Sequence, residues 1–163
     1  MAHWCAAIRV RGKGRYAQLR ITQRCSYGSA ISLLLANLFM HYAFDRWLTE
    51  HYPQVQFERY CDDVVVHATS YEQAVKVREA IAHRLAEFGL ELHPDKTRIV
   101  YCKDGDRRGQ YPVTSFTFLG YDFRSRRATG KTGTLFTGYL PAVSKAAKKK
   151  IGNQIRTWRL CRK

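Results

Sequence analysis

Phe57-Glu58-Arg59-Tyr60-Cys61-Asp62-Asp63-Val64-Val65-Val66-His67-Ala68-Thr69 is the stretch on which the fold turns. Its aromatic and β-branched residues favour extended backbone, and Cys61-Asp62-Asp63 interrupts them with turn-forming acids, so residues 57–69 predict two short strands joined by a tight turn. Two adjacent carboxylates held on such a rigid edge suit a hard divalent ion such as Mg²⁺, and two-metal phosphoryl transfer needs carboxylates of this kind. Asp is also a routine turn residue, so the pair alone is a weak signal and a plain turn is its commoner reading.

The flanks carry helices. Ser70 with Gln73 forms a capping box for a helix over residues 71–88, in which Ala74, Val77, Ile81, Leu85 and Phe88 make an apolar stripe that Gly89 ends. Upstream, Ser32 is placed to cap a mostly buried helix over residues 33–51, with Leu34, Leu38, Tyr42, Phe44 and Trp47 on a broad apolar face and Pro53 as its stop. Further out, residues 6–10 and 17–21 read as short strands in a basic segment without a clear period. Leu90–Leu92 and residues 97–102 form strands around the turn His93-Pro94-Asp95-Lys96, with Ile99 and Tyr101 on one face. Residues 116–123 read as one strand, and Gly130 and Gly133 bend the chain into another at 135–140. Pro141 opens a basic helix near Ser144 that runs to about Leu160. Interleaved helices and hairpins predict an α+β fold.

Charge divides the chain. The 163 residues hold 28 Lys and Arg against 13 Asp and Glu, a net +15, and all the acids lie between Asp45 and Asp122. The first 44 residues carry 6 bases and the segment after Asp122 carries 12, both without an acid. A solvated face is the ordinary reading of a charge run; an uninterrupted run of this length fits a phosphate backbone better. The bases concerned are Lys145, Lys148, Lys149, Lys150, Arg156, Arg159, Arg162 and Lys163, with Trp47, Tyr139 and Trp158 as packing aromatics or a base-stacking platform.

Five scattered cysteines (Cys5, Cys25, Cys61, Cys102, Cys161) contain no C-x-x-C pair, which argues against a zinc ribbon or a secreted disulfide framework and for reduced thiols in a cytoplasmic or organellar protein, with the cytoplasm as the expected location. No apolar h-region of a signal peptide is visible, and the apolar stretch at residues 31–47 is too short and too interrupted for a membrane span, so no membrane partner is expected. His67 reads as a sheet-face histidine, Gly12-x-Gly14 lacks the context of a phosphate loop, and no nucleophile–base constellation can be drawn.

Tyr60-Cys61-Asp62-Asp63 resembles the Tyr-x-Asp-Asp box of reverse transcriptases. The likeness continues in order with Ile31-Ser32-Leu33-Leu34-Leu35-Ala36-Asn37-Leu38-Phe39, the helix over 71–88, Gly89-Leu90, Pro94-Asp95-Lys96-Thr97 and Phe118-Leu119-Gly120-Tyr121. From about Gly28 to its end the chain is similar to group II intron reverse transcriptase/maturases, palm into the beginning of the thumb. The resemblance implies an antiparallel palm sheet backed by helices, Asp62 and Asp63 as catalytic and Mg²⁺-binding residues, and an RNA or RNA–DNA template–primer, with a dNTP in a complete enzyme. It places Gly28-Ser29 on the nucleotide and template side, Lys96 near the primer, Gly120 in the element that grips the primer strand, and the C-terminal bases on the template–primer backbone. An ordinary surface lysine and a bent core strand are the plain readings of Lys96 and Leu119-Gly120.

On this basis residues 1–27 form a basic segment of uncertain fold, 28–123 a partial palm, and 124–163 a basic hairpin and the start of a thumb helix. The departures matter as much. Ser26-Tyr27 stands where the family has Pro-Gln, Leu33 replaces a proline, and residues 1–25 show no likeness to the fingers or the preceding palm strand. The family needs a further carboxylate from an earlier strand, and no Asp or Glu precedes Asp45. The chain alone is therefore expected to lack polymerase activity. A non-catalytic RNA-binding module is the alternative. A two-metal nuclease, which would need Glu58 or Asp122 to converge on Asp62, is the lesser one. An incomplete palm also leaves a strand edge through which the chain could self-associate.

Overall fold

The computed structural model describes residues 4–12, 30–105 and 109–158. They form two compact units, residues 1–100 and 101–163.

In the first unit, strand β1 (Trp4–Gly12) runs antiparallel to β3 (Asp63–Ala68), which is paired on its other side with β2 (Phe57–Tyr60). β4 (Leu90–Leu92) lies beside the far end of β1, giving the order β2-β3-β1-β4, and β5 (Arg98–Tyr101) also pairs with β1. The register sets Ile8 opposite Val64 and Ala6 opposite Val66. With Val10 these side chains form one apolar face.

Helix α1 (Ala30–Met40) passes through a π turn, His41–Asp45, into α2 (Arg46–His51), and α3 (Tyr71–Glu87) follows β3. Phe44 and Leu48 meet Val77, Ile81 and Leu85 of α3 over the sheet, and Phe44, Leu48, Ile81 and Leu85 are fully buried. Ser70 caps the helix as the sequence predicts, and the reciprocal bond of Gln73 falls one residue earlier, on Thr69. Ser70 Oγ accepts from the Gln73 backbone N–H at 3.1 Å, while Gln73 Oε1 accepts from the Thr69 N–H at 2.8 Å.

Several sequence expectations are corrected. β1 covers residues 6–10 and is the central strand of the sheet, whereas residues 17–21 lie outside the described residues. The upstream helix begins at Ala30, so Ser32 lies inside its first turn and is not its N-cap. It is also not mostly buried: Leu34, Leu38 and Tyr42 are exposed, and burial starts at Met40, where the chain meets α3 and the sheet. Phe88, assigned to the α3 stripe, is exposed at the C-cap. In β5 Ile99 and Tyr101 stand two apart, and Val100 and Tyr101 are the residues fully withdrawn from solvent.

The second unit is a three-stranded antiparallel sheet, β6 (Phe116–Phe118), β7 (Tyr121–Thr129) and β8 (Leu135–Val143), followed by helix α4 (Lys145–Thr157). Residues 116–123 are a hairpin and not one strand. Leu119 and Gly120 both take positive φ, +49° and +82°, and reverse the chain so that Phe116 pairs with Phe123. Pro141 does not open the helix. It lies within β8, opposite Phe123, on an edge strand where a missing N–H is tolerated. Ser144 caps α4, its Oγ accepting from the Ala147 N–H at 3.1 Å.

Candidate functional site

Residues directly opposite each other in an antiparallel pair share a face, so the register gives the sheet of the first unit two distinct sides. Ala6, Ile8, Val10, Val64 and Val66 face the helices. Cys5, Ala7 and Arg9 of β1, Val65, His67 and Asp63 of β3, and Glu58 and Tyr60 of β2 share the other side. A polar face on an otherwise apolar sheet is where the candidate site lies.

At the end of this face β2 and β3 are joined by only Cys61 and Asp62. Asp63, expected in the turn, is the first residue of β3 and pairs with Tyr60. Cys61 takes a left-handed φ of +52°, a conformation that costs a residue with a Cβ about 1–2 kcal/mol. Arg59, on the helix side of the hairpin, braces the turn from beneath. Its guanidinium donates to both Asp45 oxygens at 2.7 and 2.6 Å, to Asn37 Oδ1 at 3.0 Å and to the Cys61 carbonyl at 3.2 Å.

The two carboxylates differ. Asp62 projects from the turn with its side chain 60% exposed, whereas that of Asp63 is 27% exposed. Arg9 of β1 stands opposite Asp63 in the register and holds it bidentately, Nε donating to Oδ1 at 2.6 Å and Nη2 to Oδ2 at 2.8 Å. The same Nε lies 3.7 Å from Asp62 Oδ2. The hydrogen bonds to Asp63 raise the pKa of Arg9 above its ordinary value, opposed by partial burial and aided by the charges of Asp63 and Asp62. Arg9 carried no signal in the sequence, because nothing in a basic segment without a period marks which arginine a strand will set against the turn.

A second polar group lies on the same face. His67 bridges Glu58, with Nε2 2.5 Å from Oε2, and Cys5, with Nδ1 3.4 Å from Sγ. Cys5 is buried at 4% exposure, so this relay does not present a thiol to a substrate.

The other sequence-predicted residues are separately placed. Lys96 is exposed in the turn between β4 and β5. Gly120 is the second residue of the β6–β7 turn, and its carbonyl accepts from the Ser144 N–H at 2.9 Å. A Cβ there would meet only Ala147 Cβ at 3.6 Å, so backbone conformation and not space asks for glycine. Lys145, Lys148, Lys149, Lys150 and Arg156 are exposed along α4. Gly28, Ser29 and Arg159 lie outside the described residues.

A sheet with a two-residue Asp-bearing hairpin beside a long antiparallel strand, backed by helices, is the α+β arrangement expected of a polymerase palm. A model of the family described as reverse transcriptase (RNA-dependent DNA polymerase) matches residues 1–123. The chain belongs to the reverse transcriptase family. The match starts at residue 1, whereas the motifs legible in the sequence start near Gly28, and β1 gives the structural reason: this segment supplies the central palm strand. None of the curated proteins compared matches the chain.

Reverse transcriptases generally use divalent metals, and the residues at this turn do not fit one. Arg9 donates to both Asp63 oxygens and its Nε lies 3.7 Å from Asp62 Oδ2, so an Mg²⁺ closing on these oxygens to about 2.0–2.1 Å would lie beside a fixed positive charge. Glu58 does not converge on the turn; it is engaged with His67, while Asp122 accepts from Thr117 at 2.6 Å. Among the described residues no group of three or more His, Cys, Asp or Glu is arranged to hold a metal. Glu58 therefore gives the nuclease alternative no support.

Proposed function

We propose that this reverse transcriptase chain is a palm fragment of the group II intron reverse transcriptase/maturase type that binds RNA or an RNA–DNA hybrid and does not polymerise DNA by itself. The observation that carries the binding reading is α4, which exposes Lys145, Lys148, Lys149, Lys150 and Arg156 with no acid among them. In this reading the chain from β6 onward begins a thumb, Gly28-Ser29, Lys96 and Gly120 each contribute to holding a template–primer, and the Asp62-Asp63 turn stands where a complete enzyme would hold part of a two-Mg²⁺ site, occupied here by the Arg9 ion pair. The intron-encoded subtype is supported by the ordered motifs from Ile31 to Tyr121.

Inactivity follows from charge. In-line displacement at two metals needs carboxylates converging from separate strands, and the strand beside this turn brings a guanidinium instead. DNA synthesis on a primed RNA template is expected to be absent; synthesis that disappears in Asp62→Asn would overturn this part of the reading. RNA affinity should fall steeply with salt. Replacing Lys148, Lys149 and Lys150 by Ala should reduce the slope of log K against log salt by about 2–3, at roughly 0.7–0.9 per phosphate contact. An unchanged slope would remove α4 from the binding surface. The non-catalytic RNA-binding module is favoured by the same Arg9 geometry and differs only in whether a partner chain can restore synthesis.

A further inference from the structure

The strand beside the turn is β1, and the residue it sets opposite Asp63 is a cation, Arg9. The ion pair is fixed from several directions. Val10 donates its N–H to the Asp62 carbonyl at 2.9 Å, Tyr60 pairs with Asp63 on the other side, and the bidentate contact engages both Asp63 oxygens. The guanidinium thus bridges the two carboxylates, 2.6 Å from one and 3.7 Å from the other.

We infer that Arg9 is an internal replacement for the divalent cation at this turn: its guanidinium neutralises the Asp62-Asp63 pair, fastens β1 to the hairpin, and excludes Mg²⁺ and Mn²⁺ from the site. A divalent ion entering there would have to displace two charge-assisted hydrogen bonds and then lie within a few ångströms of the displaced positive charge. Planar, bidentate recognition of a carboxylate is the geometry for which arginine is suited, and a lysine at the same position would leave one Asp63 oxygen open. The comparison with a metal site rests on the reverse transcriptase reading; the exclusion itself rests only on the geometry of Arg9, Asp62 and Asp63.

The test is a Mn²⁺ titration of the purified full chain followed by electron paramagnetic resonance of the free ion, without RNA or nucleotide. The unaltered chain is expected to show no saturable site in the low millimolar range. Arg9→Gln should strengthen Mn²⁺ binding by at least about tenfold, as removal of one positive charge close to the ion requires. Arg9→Asp should create a saturable site that Asp62→Asn abolishes. A saturable site in the unaltered chain that Asp63→Asn weakens would overturn the inference, and so would the absence of any gain in Arg9→Gln. Circular dichroism shows whether each variant folds. If Arg9→Asp does not, the unaltered chain and the neutral Arg9→Gln decide the matter. Loss of RNA binding would sink the functional reading and leave this one standing; Mn²⁺ binding by the unaltered chain would do the reverse.

Discussion

At Leu119 and Cys61 the backbone occupies a region that side chains with a Cβ avoid, and both residues sit in two-residue hairpin connections. With φ positive at both Leu119 and Gly120, the β6–β7 turn has the pattern for which Asn-Gly is preferred. Leu119 is half exposed and gives up little burial if replaced. Leu119→Asn should therefore raise stability by about 0.5–1 kcal/mol, and Gly120→Ala should lower it by about 1 kcal/mol, both measurable by urea unfolding. Arg59 is a different kind of residue. Its side chain is 11% exposed and its partner Asp45 19%, so removing one member strands a nearly buried charge. Arg59→Met should cost about 2–4 kcal/mol, whereas Arg46→Ala, which breaks the exposed pair with Glu50, should cost less than about 0.5 kcal/mol. The hydrogen bonds to Asp45 raise the Arg59 pKa, against the desolvation that lowers it. A cation whose folded value is raised contributes fully below its unfolded value and is lost only as pH rises through the folded one. For an arginine that lies far above neutrality, so the guanidinium should hold its contribution unchanged between about pH 6 and 9, read as a constant difference between parent and Arg59→Met.

Elements were legible where local pattern and tertiary environment agree. The α3 stripe of Ala74, Val77, Ile81 and Leu85 is buried at the spacing the sequence shows, and Ser70 caps the helix. The β2–β3 hairpin was readable because aromatic and β-branched residues flank a short, acid-bearing turn. The pattern misled where composition without period was used. Ile31, Leu33, Leu34, Leu35 and Leu38 form an apolar run on α1, yet they are exposed, because burial depends on what stands opposite a helix and not on its own hydrophobicity. Pro141 ahead of a basic run has the local pattern of a helix opener, and its place on an edge strand follows only from the strand order. The same contrast gives a measurable pair. Ile81→Ala removes a fully buried side chain and should cost about 2–5 kcal/mol, while Leu34→Ala, at 68% exposure, should stay within about 0.5 kcal/mol of the parent. The candidate site was half legible: the Asp62-Asp63 turn stands out from its own residues, but Arg9, the partner of Asp63, comes from 54 positions upstream, and only strand register reveals it.

Across the molecule the positive charge is carried unevenly by the two units. Residues 101–163 hold 15 bases against 3 acids, a net +12, while residues 1–100 hold 13 against 10, a net +3. The unit with the Asp-bearing turn is thus almost balanced, and the unit with α4 supplies nearly all of the attraction for a polyanion. A polymerase that organises its template–primer through metal ions needs Mg²⁺ for productive binding, whereas a chain that binds through exposed lysines sees Mg²⁺ only as a competing counter-ion for the phosphates. RNA affinity in EDTA should therefore equal or exceed that in millimolar Mg²⁺ at the same ionic strength. Asp62→Asn, which removes one negative charge, should leave affinity unchanged or slightly tighter. A filter-binding or fluorescence-anisotropy titration separates the cases, since an absolute requirement for Mg²⁺, lost again in Asp62→Asn, would place a metal-organised site at the hairpin and contradict both the charge partition and the role assigned to Arg9.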